Sequence, residues 1–173
     1  MYAGVCTVTT EPHRNVVCDA GPLIHLDELA CLDLLTDFSK VLVPDGVWDE
    51  VARHRSGALT FPFLQRCPCP VLGEEITSLA ALFTLHRGEQ EALQLIRQLG
   101  HGLLLTDDTS ARLAAQALGM TAHGSIGILI RSIRRRQKTK AEVLELLKRL
   151  PKESTLYIRS SLLSDIIRQV ECA

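Results

Sequence analysis

Aromatic side chains are scarce in this chain: one Trp, two Tyr and four Phe make up 4% of 173 residues. The apolar 46% is therefore mainly Leu, Val, Ile and Ala, enough for one compact domain with a sizeable core, while extended ring surfaces for stacking a cofactor are not expected. No apolar run approaches the roughly 18 residues of a membrane-spanning helix. Residues 1–10 lack the basic flank and long apolar run of a signal peptide, so the expected location is the cytoplasm. The six cysteines, Cys6, Cys18, Cys31, Cys67, Cys69 and Cys172, are scattered. Cys67 and Cys69 form the only tight pair, and no second Cys or His cluster at ligand spacing accompanies them, which argues against structural zinc and for reduced thiols. His25, His54, His86, His101 and His123 make no H-E-x-x-H or catalytic triad and are expected in ordinary surface or core roles. The G-S-I-G at 124–127 is neither a dinucleotide fingerprint nor a P-loop with its Lys, so nucleotide cofactors are not expected. Trp48 and Tyr157 are expected to pack.

Net charge is also nearly absent, with 19 Lys plus Arg against 20 Asp plus Glu. The balance hides a division. Residues 1–108 carry 7 basic and 15 acidic side chains, and residues 109–173 carry 12 and 5. An acidic cluster close to a basic surface suits a metal-dependent enzyme acting on a polyanion, and folding or dimer contacts would use the same asymmetry.

What is present is an alternation of strands and helices. N-V-V-C-D at 15–19 reads as a buried strand ending in an acid, followed by a tight turn at Gly21-Pro22 and a helix. Leu29, Leu32, Leu34 and Leu35 continue its apolar stripe. K-V-L-V at 40–43 is the next buried strand, and Pro44 opens another helix. The prolines of 61–70 restrict that stretch to a loop or edge segment. Helices are expected at 74–85 and 88–99, the second with Ala92, Leu95, Ile96 and Leu99 on one face. L-L-L-T at 103–106 is a compact strand running into Asp107 and Asp108, followed by a helix over 109–118 and a strand near 120–122. Helices at 125–136, 140–150 and 161–171 complete the chain, with 151–155 as a turn. Such a β-α series requires parallel strands covered by helices, an α/β fold that places ligands beyond the strand carboxyl ends.

Acids at the ends of buried elements carry the functional argument. Asp19 and Asp108 follow strands that should be parallel, Glu50 shares a helix with Val47 and Val51, and Glu91 shares a helical face with Leu95. These positions can bring four carboxylates together, with Asp107 completing the shell. Like charges in one pocket repel, so the cluster needs a compensating partner. Mg²⁺ or Mn²⁺ supplies it through oxygen ligands alone, and the chemistry implied is phosphodiester hydrolysis. Thr106, Thr109 or Ser110 could orient a ligand or contact a phosphate. Alternatively, the acids before T-S cap the helix from Thr109. Arg112 lies four residues beyond Asp108, placed for pairing with it or for a phosphate. The basic stretch Arg131, Arg134, Arg135, Arg136, Lys138 and Lys140 could engage phosphates, or form a solvated helix end.

V-V-C-D-A-G-P-L-I-H-L at 16–26, V-L-V-P-D-G-V-W-D-E-V at 41–51, G-E-Q-E-A-L-Q-L at 88–95, L-L-L-T-D-D-T-S-A-R-L-A at 103–114 and G-S-I-G-I-L at 124–129 occur in an order and spacing that resembles a PIN domain. The similarity is to the compact prokaryotic branch related to VapC-like toxins and spans about 15–150. The resemblance implies a three-layer α/β/α fold with a central, mainly parallel sheet, a Mg²⁺ or Mn²⁺ site and ribonuclease activity on RNA. The family's metal ligands would carry over to Asp19, Glu50, Glu91 and Asp108, with Asp107 adjacent. Glu91 stands where many relatives have Asp, and His123 where an apolar residue is more usual. A small antitoxin partner and a homodimer are further implications by analogy. The expected organisation is an N-terminal extension at 1–14, a PIN-like domain at 15–150 and a helical extension at 151–173 packed on the same domain. The competing reading is a nuclease fold kept for RNA or protein binding, its acids serving caps and local ion pairs.

Overall fold

A wholly parallel sheet must be covered on both faces, and alternate residues of its strands feed two separate apolar cores. The computed structural model describes residues 15–68, 71–100 and 102–172, with only the backbone at Asn15. The expectations for 1–14, Cys69 and His101 lie outside the described residues. The strands are β1 (Asn15–Cys18), β2 (Val41–Pro44), β3 (Leu64–Cys67), β4 (Gly102–Leu105) and β5 (Thr121–His123). The helices are α1 (Ala20–Glu28), α2 (Asp45–Arg55), α3 (Glu74–Phe83), α4 (Arg87–Gln98), α5 (Thr109–Ala117), α6 (Ser125–Arg134), α7 (Lys140–Glu153) and α8 (Ser160–Cys172).

The sheet order is β3-β2-β1-β4-β5, and every neighbouring pair is parallel. Val16, Cys18, Leu103 and Leu105 belong to the core under α1, α6 and α7, whereas Val17 and Leu104 belong to the core under α4 and α5. This is the period-two alternation of a strand buried on both faces, and the result is a three-layer α/β/α domain. The chain winds outward from β1 through β2 to β3, then crosses to the other side for β4 and β5. The strand order therefore switches between β1 and β4, and the crevice beyond their carboxyl ends is where such sheets bind ligands. Asp19 leaves β1 there, and Thr106 to Asp108 leave β4. Backbone bonds from Asp19 N to Leu105 O (2.8 Å) and from Thr106 N to His123 O (2.9 Å) extend the ladders past the strand ends and fix both segments.

Two local expectations are revised. The apolar stripe of α1 does not run on through Leu35: the helix ends at Glu28, and residues 32–37 form a separate 3₁₀ turn. Ala30 takes φ 52°, with Ala30 N bonded to Asp27 O and Cys31 N to Leu26 O. These bonds make a Schellman cap in which Ala occupies the left-handed position usually held by Gly, so no sequence punctuation marks the stop. Residues 64–67 form a strand at the sheet edge, between Pro62 and Pro68, in keeping with the edge segment expected there. Pro151 lies inside α7 rather than in a turn after it, a position near the helix end where Pro forfeits only one intrahelical bond.

Candidate active site

The cavity beyond β1 and β4, of about 340 Å³, is lined by Asp19, Gly21, His25, Glu50, His86, Glu89, Asp107 and Asp108, with Thr155 to Tyr157 along one side. Asp19 is only 6% exposed. One of its oxygens accepts from Ala20 N at 2.8 Å, capping α1, and the other accepts from the Thr106 hydroxyl at 2.9 Å. Burial pushes its carboxyl up to about 7, against the pull of those two hydrogen bonds, and the charges of Glu89 and Glu50 push the same way as burial. The leading charged neighbours of Asp19 are therefore both acids. Glu50 makes no hydrogen bond or ion pair among the described residues. Glu89 is also raised, first by burial, with a bond from His86 N working against it and the charges of Asp108 and Glu50 adding to it.

Cys18, directly beneath, is wholly buried. Burial pushes its thiol well up, and the charges of Asp19 and Asp107 add to this. A thiol held protonated in this way is neither a nucleophile nor a soft metal ligand.

The structure separates the acids expected to act together. Asp19, Glu50, Asp107 and Asp108 line one cavity, but Glu91 does not. Its Oε2 accepts from Gly46 N at 2.6 Å and its Oε1 from Arg87 Nε at 2.7 Å. Pro44, at the N-cap of α2, offers no capping side chain, so Glu91 reaches across from α4 to satisfy a donor at that helix start and to complement its dipole. Glu89 occupies the cavity instead. Residues two apart on a helix point about 200° apart, so Glu89 and Glu91 cannot serve the same side. The available signal was H-x-x-E at 86–89, which forms a capping box with Glu89 Oε2 on His86 N at 2.8 Å.

Asp107 is fully engaged. Its Oδ1 accepts from Ser125 N at 2.7 Å, and its Oδ2 meets His25 Nδ1 at 2.8 Å and the Ser125 hydroxyl at 2.5 Å. It thereby ties the end of β4 to the start of α6 and to α1. Asp108 caps α5 through Ala111 N at 2.8 Å while still facing the cavity.

Thr106 is fully buried, so its hydroxyl positions Asp19 and accepts from Asp108 N rather than meeting a ligand. Thr109 and Ser110 sit in the first turn of α5, away from the cavity lining. Arg112 donates to Thr106 O at 3.2 Å instead of pairing with Asp108. Arg131 bonds Asp37 at 2.7 Å and lies 5.1 Å over the Phe38 ring, and with Arg134 it lines a different cavity beside β4 and α6. Trp48 packs, with Arg66 at 5.8 Å from its ring. Tyr157 does not pack: it is 87% exposed. His25 and His86, assigned ordinary roles from sequence, line the carboxylate cavity.

Asp19, Glu50, Glu89 and Asp108 form an all-oxygen donor set, which fits a hard divalent cation such as Mg²⁺ or Mn²⁺. Among the described residues, no three His, Cys, Asp or Glu side chains converge as a ready-made ligand cluster. Asp19, Glu89 and Asp108 each accept from a backbone donor, leaving Glu50 as the acid of the set that is not held in this way. Also among the described residues, no helix is long and apolar enough to cross a membrane, and Cys18, Cys31, Cys67 and Cys172 are free thiols.

No curated protein matches the chain. A family model described as PIN domain matches residues 15–172, from β1 through α8. That match covers most of the sequence and coincides with the parallel sheet and its acid-lined crevice, and on it the chain belongs to the PIN-domain family, whose fold is of the nuclease type.

Proposed function

We propose that the protein is a metal-dependent endoribonuclease that hydrolyses RNA phosphodiester bonds at the cavity between β1 and β4. The observation that carries this reading is the buried Asp19 carboxylate, raised to about 7 beside Glu89 and Glu50. A buried carboxylate whose leading charged neighbours are acids costs stability unless something bound there repays it. When bound, Mg²⁺ or Mn²⁺ would supply a charge that offsets the phosphate and acidifies a water molecule. Asp19, Glu50 and Glu89 would hold the ion, with Asp108 as a further oxygen donor. Thr106 and Ala20 N fix Asp19, and Asp107 ties together the three elements that wall the cavity. Hydrolysis then forms one P–O bond from water and breaks another, with the departing ribose oxygen taking up a proton.

The resemblance to the VapC-like branch extends the proposal to a toxin held by a small antitoxin and to a homodimer. Growth arrest on induced expression checks the toxin role, and light scattering checks the dimer. Asp19→Asn tests the chemistry itself. Cleavage of single-stranded RNA with Mn²⁺ should fall by about 100-fold or more, while the melting temperature at pH 7.5 holds or rises because a buried charge is gone. Unchanged cleavage by rigorously purified variant would refute the catalytic assignment.

A second reading, a PIN fold retained for binding, is favoured by one observation: Asp107 is saturated by Ser125 and His25, and Asp108 caps α5. It predicts RNA binding indifferent to metal and to Asp19→Asn, with no cleavage.

A further inference from the structure

The segment joining α7 to α8, residues 154–159, has no regular secondary structure yet is firmly held. Glu28, the last residue of α1, accepts from Thr155 N at 2.7 Å, from the Ser154 hydroxyl at 2.9 Å and from the Thr155 hydroxyl at 3.0 Å. Burial works to raise the Glu28 carboxyl, but these bonds outweigh it and hold the group below its ordinary value. Leu156 N closes on the Ser154 hydroxyl at 3.2 Å. Beyond this anchor the side chains alternate: Leu156 and Ile158 pack against the core, while Tyr157 and Arg159 are exposed. Tyr157 and Arg159 therefore share the exposed side of a pinned strap.

Tyr157 lines the carboxylate cavity, and among the described residues no Phe, Trp or other Tyr does so. A large ring left 87% in water, in a chain where rings are scarce, contributes little to folding. Its backbone is already fixed, so engaging the ring would cost little further ordering. Nucleobases stack on such rings whatever their identity, and the adjacent phosphate suits an Arg. A ring at a cavity mouth reaches a base face only where the nucleic-acid stack is interrupted, which a duplex does not offer.

We propose that Tyr157 is a base-stacking platform, with Arg159 beside it for the neighbouring phosphate, so that the site takes unpaired RNA and positions one base over the cavity mouth. The proposal rests on the ribonuclease reading and names the substrate form that this site selects. Tyr157 acts on placement of the substrate, not on the reacting phosphorus.

The test separates binding from chemistry. Fluorescence anisotropy of a labelled single-stranded oligoribonucleotide is measured in excess chelator with Asp19→Asn protein, alone and combined with Tyr157→Ala or Tyr157→Phe. The Ala change should weaken binding about tenfold or more, and Phe, which keeps the ring, should recover most of the loss. A base-paired version of the oligonucleotide should bind weakly and be indifferent to the Ala change. A series of oligonucleotides with one abasic position moved along the strand should include a position at which Tyr157→Ala has no further effect. In steady-state cleavage by the otherwise wild-type protein, the Ala change should appear in KM rather than kcat. Equal binding by Tyr and Ala proteins, no measurable binding by the Asp19→Asn protein, or an unchanged Ala effect at every abasic position overturns the platform. Binding that follows the platform pattern in a protein that never cleaves RNA overturns the ribonuclease reading and leaves the platform standing.

Discussion

At the scale of single residues, the account turns on which glutamate of G-E-Q-E does what. Glu89 faces the cavity and Glu91 caps α2, so conservative changes at the two positions should separate. Glu89→Gln keeps an oxygen for His86 N but removes a charge from a crowded acidic pocket. Cleavage should fall about 100-fold or more, with the melting temperature unchanged or raised. Glu91→Ala leaves Gly46 N–H unsatisfied in a buried position and should cost about 1–3 kcal/mol of stability by denaturant unfolding, with a much smaller loss of activity in the folded protein. The reverse pattern would return Glu91 to the site. The sequence signals an acid in this turn of the helix, and the resemblance to PIN domains carries the ligand role to Glu91. Helical periodicity alone could not decide between them, because which side of α4 faces the strand ends depends on the tertiary approach of α2. Tyr157 differs from its sequence expectation for a similar reason. An aromatic between two apolar residues reads as core, and the alternation of burial beyond the Glu28 anchor, with Leu156 and Ile158 turned inward, leaves it outside.

At the scale of elements, the three central strands were legible because β1, β2 and β4 are short apolar runs bounded by punctuation, and the acids at 19 and 107–108 end two of these runs, whereas the edge strands β3 (L-Q-R-C) and β5 (T-A-H) carry no such signal. Helix ends were less legible where a non-glycine residue takes the left-handed position, as Ala30 does. The crossing of α2 and α4 shows what sequence conceals. A Cβ at Gly46 would come within 2.8 Å of Glu91 Oε2, and one at Gly88 within 3.1 Å of Val47 Cγ2. The two glycines let the helices approach closely enough for Glu91 to reach the start of α2. Gly46→Ala should therefore destabilise the fold by about 1–3 kcal/mol. Combined with Glu91→Ala it should cost less than the sum, because both changes break one contact. Full additivity in a double-mutant cycle measured by urea unfolding would show that the two residues are not coupled.

At the scale of the whole molecule, the charge division is partly consumed by the fold. Arg131 and Arg135 bond Asp37, Arg149 bonds Glu153 and Lys140 bonds Glu171 O, so the basic half is no continuous phosphate track. The acidic half keeps its unpaired burden in the cavity, with a consequence for stability against pH. Asp19 has a folded value of about 7 against an ordinary 3.8, so between about pH 4 and pH 7 the native state holds a proton that the unfolded chain has released. The stability associated with that proton is fully present below about pH 4 and is lost as pH rises through about 7, an effect on the order of a few kcal/mol for the metal-free protein. The raised Glu89 carboxyl acts in the same direction. Thermal melts in chelator should show this decline across the window. Added Mn²⁺ should restore stability at pH 7.5 and do little at pH 5, where protons compete for the same oxygens. A metal-free protein equally stable at pH 5 and pH 7.5 would contradict the burial of charge at Asp19.

The most direct measurement is a crystal structure of the protein with Mn²⁺, its ion located by anomalous scattering. The account predicts a peak beyond the ends of β1 and β4, in contact with Asp19 and flanked by Glu50 and Glu89, with Glu91 still on Gly46 N. A peak held by Glu91 away from that cavity, or no peak beside Asp19 at saturating Mn²⁺, would contradict it.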